Sequence, residues 1–139
     1  MFDLEKCIFC EIVNGNSEVK KIYEDQYTLA LLDISNDVFG HTLVIPKRHV
    51  TDLLECDQET LNYTMSTLKK VTNYYVEKCG FSGINILNAN KAAAEQSVMH
   101  LHFHVIPRNS DDGFTTWPNF TENPRELEEA HQKLTMIKN

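Results

Sequence analysis

Three histidines at alternate positions are the residues of this sequence best suited to chemistry. They are His100, His102 and His104, within the segment MHLHFHVIPR at residues 99–108. Successive side chains of a β-strand point to opposite faces, so a strand here would carry the three imidazoles on one face and apolar side chains on the other. Imidazoles are polar and titrate near neutral pH, so three in a row on a sheet surface are unfavourable unless they have a function. We therefore expect a functional site rather than a row of partly exposed histidines.

The same geometry would also suit a zinc hydrolase. In such an enzyme, alternate strand histidines supply two or three ligands and leave one position open for water. A site of this kind also needs a further ligand and partners that orient the histidines. The segment from Gln96 to Arg108 contains no Asp or Glu, which weakens this alternative for the three histidines.

Two of the four cysteines form a second candidate site. Cys7 and Cys10 have the Cys-x-x-Cys spacing of metal ligands, whereas Cys56 and Cys79 stand alone. A thioredoxin-like redox pair is disfavoured because no βαβ pattern surrounds the two residues. The remaining alternative is a pair of small buried thiols.

Hydrophobic patterning outlines the elements that must position these residues. Residues 20–23, 27–33 and 41–46 predict an antiparallel meander, and two further strands are predicted at 83–87 and 100–106. Since strands and helices do not alternate as βαβ units, the predicted class is α+β with a five-stranded antiparallel sheet.

Two helices complete this outline. Residues 57–79 predict one long helix, with Asp57 as its N-cap and Gly80 just beyond its end. After a loop at 109–123, the sequence Asn123-Pro124-Arg125-Glu126 predicts the start of a C-terminal helix, with an N-cap, a proline at N1 and a glutamate at N3.

Composition limits the class of protein. With 139 residues, 42% of them hydrophobic and 24% charged, the chain fits one globular domain that needs no disulfides. Its 13 Lys and Arg against 20 Asp and Glu give a net charge of −7, which disfavours binding to nucleic acid or an anionic membrane. The N-terminal sequence has early acidic residues and no long apolar run, so neither a signal peptide nor a transmembrane helix is predicted. We expect a cytoplasmic protein.

The motif around the three histidines resembles that of the histidine triad (HIT) family, His-φ-His-φ-His-φ-φ with φ apolar. Residues 100–106 match every position, and residues 7–12, 31–35 and 40–49 resemble further family landmarks in the family's order. The resemblance covers residues 7–108. It implies a single HIT domain at 1–139, with its core at 7–108 and a C-terminal loop and helix at 109–139. It also implies a homodimer in which the sheet continues across the two chains.

The resemblance implies a nucleotidyl hydrolase. Family members cleave a substituted α-phosphate of a purine nucleotide, such as a phosphoramidate or dinucleoside polyphosphate, through a covalent nucleotidyl-histidine intermediate. Here His102 would be the nucleophile, with the second ring nitrogen held by a carbonyl assigned to His100, while His104 and His41 would stabilise charge on the phosphate oxygens. The alternatives are a nucleotidyltransferase or phosphorylase, which uses another acceptor, and a nucleotide-binding regulatory module with negligible turnover.

The resemblance further assigns seven residues to the nucleotide: Asp33, Ile34, Phe9, Ile12, Asn88, Gln96 and Ser97. A carboxylate at Asp33 suits the two ribose hydroxyls, and the Ser97 hydroxyl would lie on the leaving-group side. The three apolar residues would contact the base, although each in isolation is more typical of a core position.

The loop before the triad departs from the family. Better-known members have a polar amide where Ala89 stands and glycines in place of Lys91 and Glu95. Because glycine lets the backbone approach a phosphate closely, these two side chains bear on the phosphate contact and on substrate preference. Asn88 is our candidate for the missing amide.

The resemblance also implies a structural zinc ion. Several bacterial members bind zinc through two cysteines and two histidines, and the matching positions here are Cys7, Cys10, His49 and His100. Four protein ligands leave no open position, so the ion would stabilise the fold. The chemistry itself would need no cofactor.

Overall fold

The computed structural model describes residues 7–137, which form a five-stranded antiparallel sheet with helices packed against it. In chain order the elements are α1 (Ile8–Val13), β1 (Lys21–Glu24), β2 (Thr28–Leu32), β3 (Thr42–Pro46), α2 (Gln58–Glu77), β4 (Gly83–Leu87), a 3-10 turn (Ala92–Ala94), β5 (Phe103–Arg108) and α3 (Leu127–Leu134). The strand order is β1-β2-β3-β5-β4. The predicted α+β class and the five strands are confirmed.

The two faces of the sheet carry separate apolar layers. Alternate strand residues face α2 and pack with its buried side chains, in a cluster that includes Val44, Leu68, Val71, Leu101, Phe103 and Val105. The intervening residues face α1, in a second cluster that includes Phe9, Ile12, Leu29, Leu31, Leu43 and Ile45. The period of two along each strand therefore explains why both layers form.

The long helix α2 begins as the sequence predicts. The Asp57 carboxylate caps it by accepting a hydrogen bond of 3.0 Å from the backbone N–H of Thr60. The helix ends at Glu77, two residues before the predicted end, because Lys78 is the C-cap and Gly80 follows with φ +84°. On the buried side, the Thr67 and Thr28 hydroxyls lie 2.6 Å apart and join α2 to β2.

Two further boundaries differ from the prediction by three residues. The strand predicted at 100–106 is β5, which starts at Phe103 because its pairing with β3 reaches only to Val44 opposite Phe103. Before that point the chain leaves β3, and the Leu101 N–H donates to the Val50 carbonyl. The C-terminal helix starts at Leu127 with Glu126 as N-cap, because the Asn123 side chain instead accepts a hydrogen bond from the Arg125 N–H in a local turn.

The four cysteines are all free thiols. Within residues 7–137, the structure has no helix that combines the length and the apolar composition needed to cross a membrane.

Candidate active site

The three histidines lie in a row even though only His104 belongs to β5. The ring centroids of His102 and His104 are 5.0 Å apart, and Phe9 meets the rings of both His100 and His102 edge-on. Leu101 is fully buried in the opposite layer. The chain before the strand thus keeps the predicted alternation of faces.

One ring nitrogen of His102 is held by the backbone. Its Nδ1 lies 2.7 Å from the carbonyl oxygen of His100. A carbonyl only accepts, so Nδ1 carries the proton and Nε2 keeps its lone pair. Burial lowers the pKa of His102 below the usual value for a histidine. The ring is therefore a neutral imidazole with a single defined tautomer, as a nucleophile requires.

The carbonyl of His102 is held as well. It accepts a hydrogen bond of 3.0 Å from the side-chain amide of Asn88, and Asn90 in turn donates to the Asn88 oxygen at 2.6 Å. Asn88 thus supports the backbone of the central histidine.

A second imidazole pair borders this ring. His41 Nε2 and His104 Nδ1 are 2.9 Å apart, and the Nδ1 of His41 is 2.7 Å from the Asp37 carboxylate. Burial lowers the pKa of His104 to about 4, so this ring is neutral at physiological pH. Asp37 was not among the predicted site residues. In the sequence, Asp37 is only a carboxylate four residues before a histidine. That spacing is common in loops, so it does not indicate a site.

Asp33 lies at the end of β2, beside the same cluster. One carboxylate oxygen is 3.6 Å from His41 Nε2, and the other accepts a hydrogen bond from the Ser35 N–H. A cleft of about 470 Å³ is lined in part by Asp33, Ile34 and Val19. Asp33 is therefore placed between an open cleft and the histidine cluster.

The three apolar residues assigned to the base are placed differently. Ile34 is 91% exposed at the cleft, so its alternative interpretation as a core residue is wrong. Phe9 and Ile12 belong to α1 and are buried in the apolar layer between this helix and the sheet. Ile34 thus offers free apolar surface to a ligand, whereas Phe9 supports the rings of the triad.

Gln96 does not present its side chain to the cleft. It is buried, and its amide group donates to the carbonyls of Thr51 and Val98 while its oxygen accepts from the Lys91 N–H. The Gln96 side chain therefore holds the loop, and its contact with the nucleotide stays a prediction. Ser97, the next residue, is exposed.

In the loop at 88–96, two residues that are not glycine have the positive φ angles that glycine usually adopts. Lys91 has φ +79° and ψ +159°, and Glu95 has φ +70°. The conformation of Lys91 lies in a region that side chains strongly disfavour. Its Nζ reaches 3.0 Å from Oδ2 of Asp52, a fully buried residue that the sequence analysis missed. This ion pair fastens the loop to the segment before α2.

Cys7, Cys10, His49 and His100 come together from three parts of the chain. Their candidate ligand atoms all lie within 4.8 Å of one another. Sulfur-to-Nδ1 distances are 3.2 Å for Cys10 and His49, 3.5 Å for Cys7 and His100, and 3.7 Å for Cys10 and His100. Tetrahedral zinc with bonds of about 2.3 Å to sulfur and about 2.0 Å to nitrogen separates such atoms by about 3.5 Å.

The protonation pattern of this cluster also suits a cation. His100 Nε2 lies 2.8 Å from the Pro46 carbonyl, which places the proton there and leaves Nδ1 facing the sulfurs. Burial and the neighbouring Cys7 thiol raise the pKa of Cys10 to about 12. A bound metal cation reverses this balance, since a coordinating thiol is deprotonated. The donor set therefore fits a zinc ion.

Comparison with known proteins identifies the family. The sequence profile of the HIT domain matches residues 14–111. The chain belongs to the HIT family. An uncharacterized HIT-like protein of Methanocaldococcus jannaschii is 46% identical over 108 residues, with 77% of this chain and 82% of that protein covered.

Two other HIT relatives have named activities. The adenosine 5′-monophosphoramidase of Schizosaccharomyces pombe is 36% identical over 131 residues, covering 93% of this chain and 96% of the relative. An adenylylsulfatase of Arabidopsis thaliana is 38% identical over 106 residues, covering 76% of this chain and 54% of the relative.

Solved HIT structures share the fold. A HIT family protein of Bacillus anthracis superimposes with a TM-score of 0.80 at 38% identity, covering 93% of this chain and 92% of the other. A zinc-bound HIT protein of Mycobacterium smegmatis superimposes with a TM-score of 0.74 at 34% identity, covering 94% and 91%.

Proposed function

We propose that this HIT protein hydrolyses a purine nucleotide whose α-phosphate carries a substituent, through a covalent nucleotidyl-histidine intermediate on His102. The observation that carries the proposal is the hydrogen bond from His102 Nδ1 to the His100 carbonyl, within a cluster that also contains His41 and His104. A neutral imidazole with its lone pair on Nε2 is a competent nucleophile.

In the proposed reaction, Nε2 of His102 attacks the α-phosphorus and the bond from phosphorus to the leaving group breaks. Water then attacks the same phosphorus, the phosphorus–nitrogen bond to His102 breaks, and the nucleoside monophosphate is released. His104 lies beside the attacking ring and His41 contacts His104, and N–H donors there stabilise charge that builds on the phosphate oxygens. Ser97 would contact the leaving-group side.

On the nucleotide side, Asp33 accepts from the ribose hydroxyls and exposed Ile34 contacts the base in the cleft beside them. The two relatives with named activities suggest the leaving group. One is named for an adenosine monophosphoramidate and the other for an adenylyl sulfate. Both names describe adenylyl transfer to water from a group that is not a nucleotide. We therefore favour a small leaving group over a second nucleotide.

A substrate panel tests the proposal. Purified protein is incubated with adenosine 5′-phosphoramidate, adenosine 5′-phosphosulfate and diadenosine tetraphosphate, and release of AMP is measured. Intact-protein mass spectrometry after rapid quenching should detect an adenylylated species in the wild type, with none in the matched variant His102→Asn. Failure of all three compounds to yield AMP contradicts the hydrolase proposal.

The same panel separates the alternatives. A phosphorylase would form ADP when inorganic phosphate is added, because phosphate would then accept the adenylyl group instead of water. A regulatory module would bind AMP but release no product. A cytoplasmic location stays a prediction from the sequence.

We further propose that Cys7, Cys10, His49 and His100 hold a structural zinc ion. Support comes from the spacing of their ligand atoms and from the zinc-bound HIT protein of Mycobacterium smegmatis. Since His100 also supplies the carbonyl that holds His102, the ion would stiffen the backbone behind the nucleophile without taking part in the reaction.

We also propose a homodimer in which the sheet continues across the two chains. The strand β4 lies at one edge of the sheet, and its residues Ile86 and Leu87 are 47% and 41% exposed. On α2, Tyr74 is 59% exposed. Exposed apolar side chains at an open strand edge favour pairing with a second chain, which light scattering coupled to gel filtration would detect.

A further inference from the structure

Beside the proposed nucleophile, Asp33, His41 and His104 form a cluster separate from the Cys/His cluster. A carboxylate oxygen and two imidazole nitrogens lie within 4.8 Å of one another. The distance from His41 Nε2 to His104 Nδ1 is 2.9 Å, and that from His41 Nε2 to Asp33 Oδ2 is 3.6 Å. Each residue thus contributes one donor atom to a compact group.

These separations match those around a metal ion. Tetrahedral zinc with bonds of about 2.0–2.1 Å to nitrogen and oxygen places neighbouring ligand atoms about 3.3 Å apart. The two observed distances lie on either side of that value. Two imidazoles with one carboxylate are a donor set for first-row transition metals, whereas Mg²⁺ and Ca²⁺ prefer oxygen alone.

The orientation of His41 also suits a ligand. Its Nδ1 lies 2.7 Å from the Asp37 carboxylate, so that nitrogen carries a proton and Nε2 faces the cluster. A histidine that donates its second N–H to a carboxylate is the usual arrangement around zinc, where the carboxylate fixes the ring and raises its basicity.

We propose that Asp33, His41 and His104 form a second metal site, which binds Zn²⁺ or a similar transition ion with Asp37 as a positioning residue. The ion takes the place of the hydrogen bond between His41 Nε2 and His104 Nδ1, and the neutral His104 ring then carries its proton on Nε2. Competition with the nucleotide rests on the proposed function, in which Asp33 holds the ribose. Because Asp33 cannot bind the ion and the ribose at the same time, the ion and the nucleotide exclude each other. Transition metals are then competitive inhibitors of the hydrolase.

The test uses the purified protein with its bound metal content first measured and its Cys/His cluster filled with Zn²⁺. Co²⁺ is then titrated and followed by absorbance. We expect one further Co²⁺ per chain, with visible d–d bands and no thiolate charge-transfer band. Excess AMP should weaken its binding, while Mg²⁺ should produce no competition. A thiolate band for this ion, or no binding at equimolar protein and metal up to about 0.1 mM, would overturn the proposal.

Variants assign the ligands without relying on turnover. Asp33→Asn removes an anionic ligand, and Asp37→Asn removes the negative charge of the group that holds His41. Each should weaken Co²⁺ binding by about 10–100-fold. The matched control is Asp111→Asn, at an exposed carboxylate outside the cluster. Equal affinity in Asp33→Asn and the control overturns the site. If Co²⁺ binds as expected but no substrate is hydrolysed, the metal site stands and the proposed function fails.

Discussion

The Nδ1 nitrogen of His102 lies 2.7 Å from the carbonyl oxygen of His100, two residues before it in the chain. The contact ties the tautomer of the proposed nucleophile to the backbone of a residue that also faces Cys7 and Cys10. It therefore joins the proposed catalytic and metal sites.

Replacing His102 with Asn should abolish hydrolysis and spare binding. Only the covalent step needs a ring nitrogen, so kcat should fall by at least about three orders of magnitude. The affinity for AMP, measured by calorimetry, should stay within a few-fold of the wild type. A folded variant that keeps more than about 1% of the activity would remove His102 from the nucleophile role.

Asp33 should make the enzyme prefer ribonucleotides. A 2′-deoxy substrate leaves part of the carboxylate unpaired, and a lost hydrogen bond to a charged acceptor costs about 1.5–3 kcal/mol. We expect kcat/KM to favour the ribose form by roughly 10- to 100-fold. Asp33→Asn should reduce that ratio without changing the order of leaving groups. Equal efficiency of the two sugars in the wild type contradicts the ribose contact.

Ile34 should contribute to binding and hardly at all to stability. Its side chain is 91% exposed, and surface substitutions usually change the free energy of unfolding by less than about 0.5 kcal/mol. Ile34→Ala should raise KM by about fivefold, the effect of about 1 kcal/mol of lost apolar contact. Leu29→Ala is the control, because Leu29 is fully buried and should lose about 2–5 kcal/mol of stability. An unchanged KM in Ile34→Ala would exclude the base contact.

Removal of zinc should lower thermal stability more than it lowers turnover per folded molecule. Elemental analysis should find about one zinc ion per chain in protein prepared without chelators, and stripping it should lower Tm, because a closed Cys₂His₂ site contributes to folding. Cys10→Ser should lose the metal, whereas Cys79→Ser, at an exposed thiol, should keep it. Protein that stays folded after chelation but loses all turnover would favour the zinc-hydrolase alternative.

The pair of Lys91 and Asp52 should behave as one unit. Lys91→Met removes the cation beside a buried carboxylate and should lower Tm. Asp52→Asn should then lower Tm less in the Lys91→Met background than it does in the wild type. Lys91→Gly should be less destabilising than Lys91→Met, because glycine relieves the disfavoured backbone at φ +79°. Strictly additive effects of Lys91→Met and Asp52→Asn would show that the ion pair does not hold the loop.

The sequence by itself determined the features that depend on local pattern. Alternation placed the three histidines on one face, even though β5 starts three residues later than predicted, because side chains of the segment before β5 still alternate with a period of two. The cap at Asp57, the spacing of Cys7 and Cys10, and the order along the chain of the five strands, α2 and α3 are equally local, whereas α1 was not predicted. They follow from the geometry of a few consecutive residues.

Tertiary structure alone decided which distant side chains meet. His41 reaches His104 because β3 pairs with β5 so that Leu43 lies opposite His104, and residues two apart on a strand share a face. Neither the contact of Lys91 with Asp52 nor the exposure of Ile34 has a local signature. Such contacts depend on strand register and on how loops close, and both are set by packing of the whole chain rather than by the periodicity of any one segment.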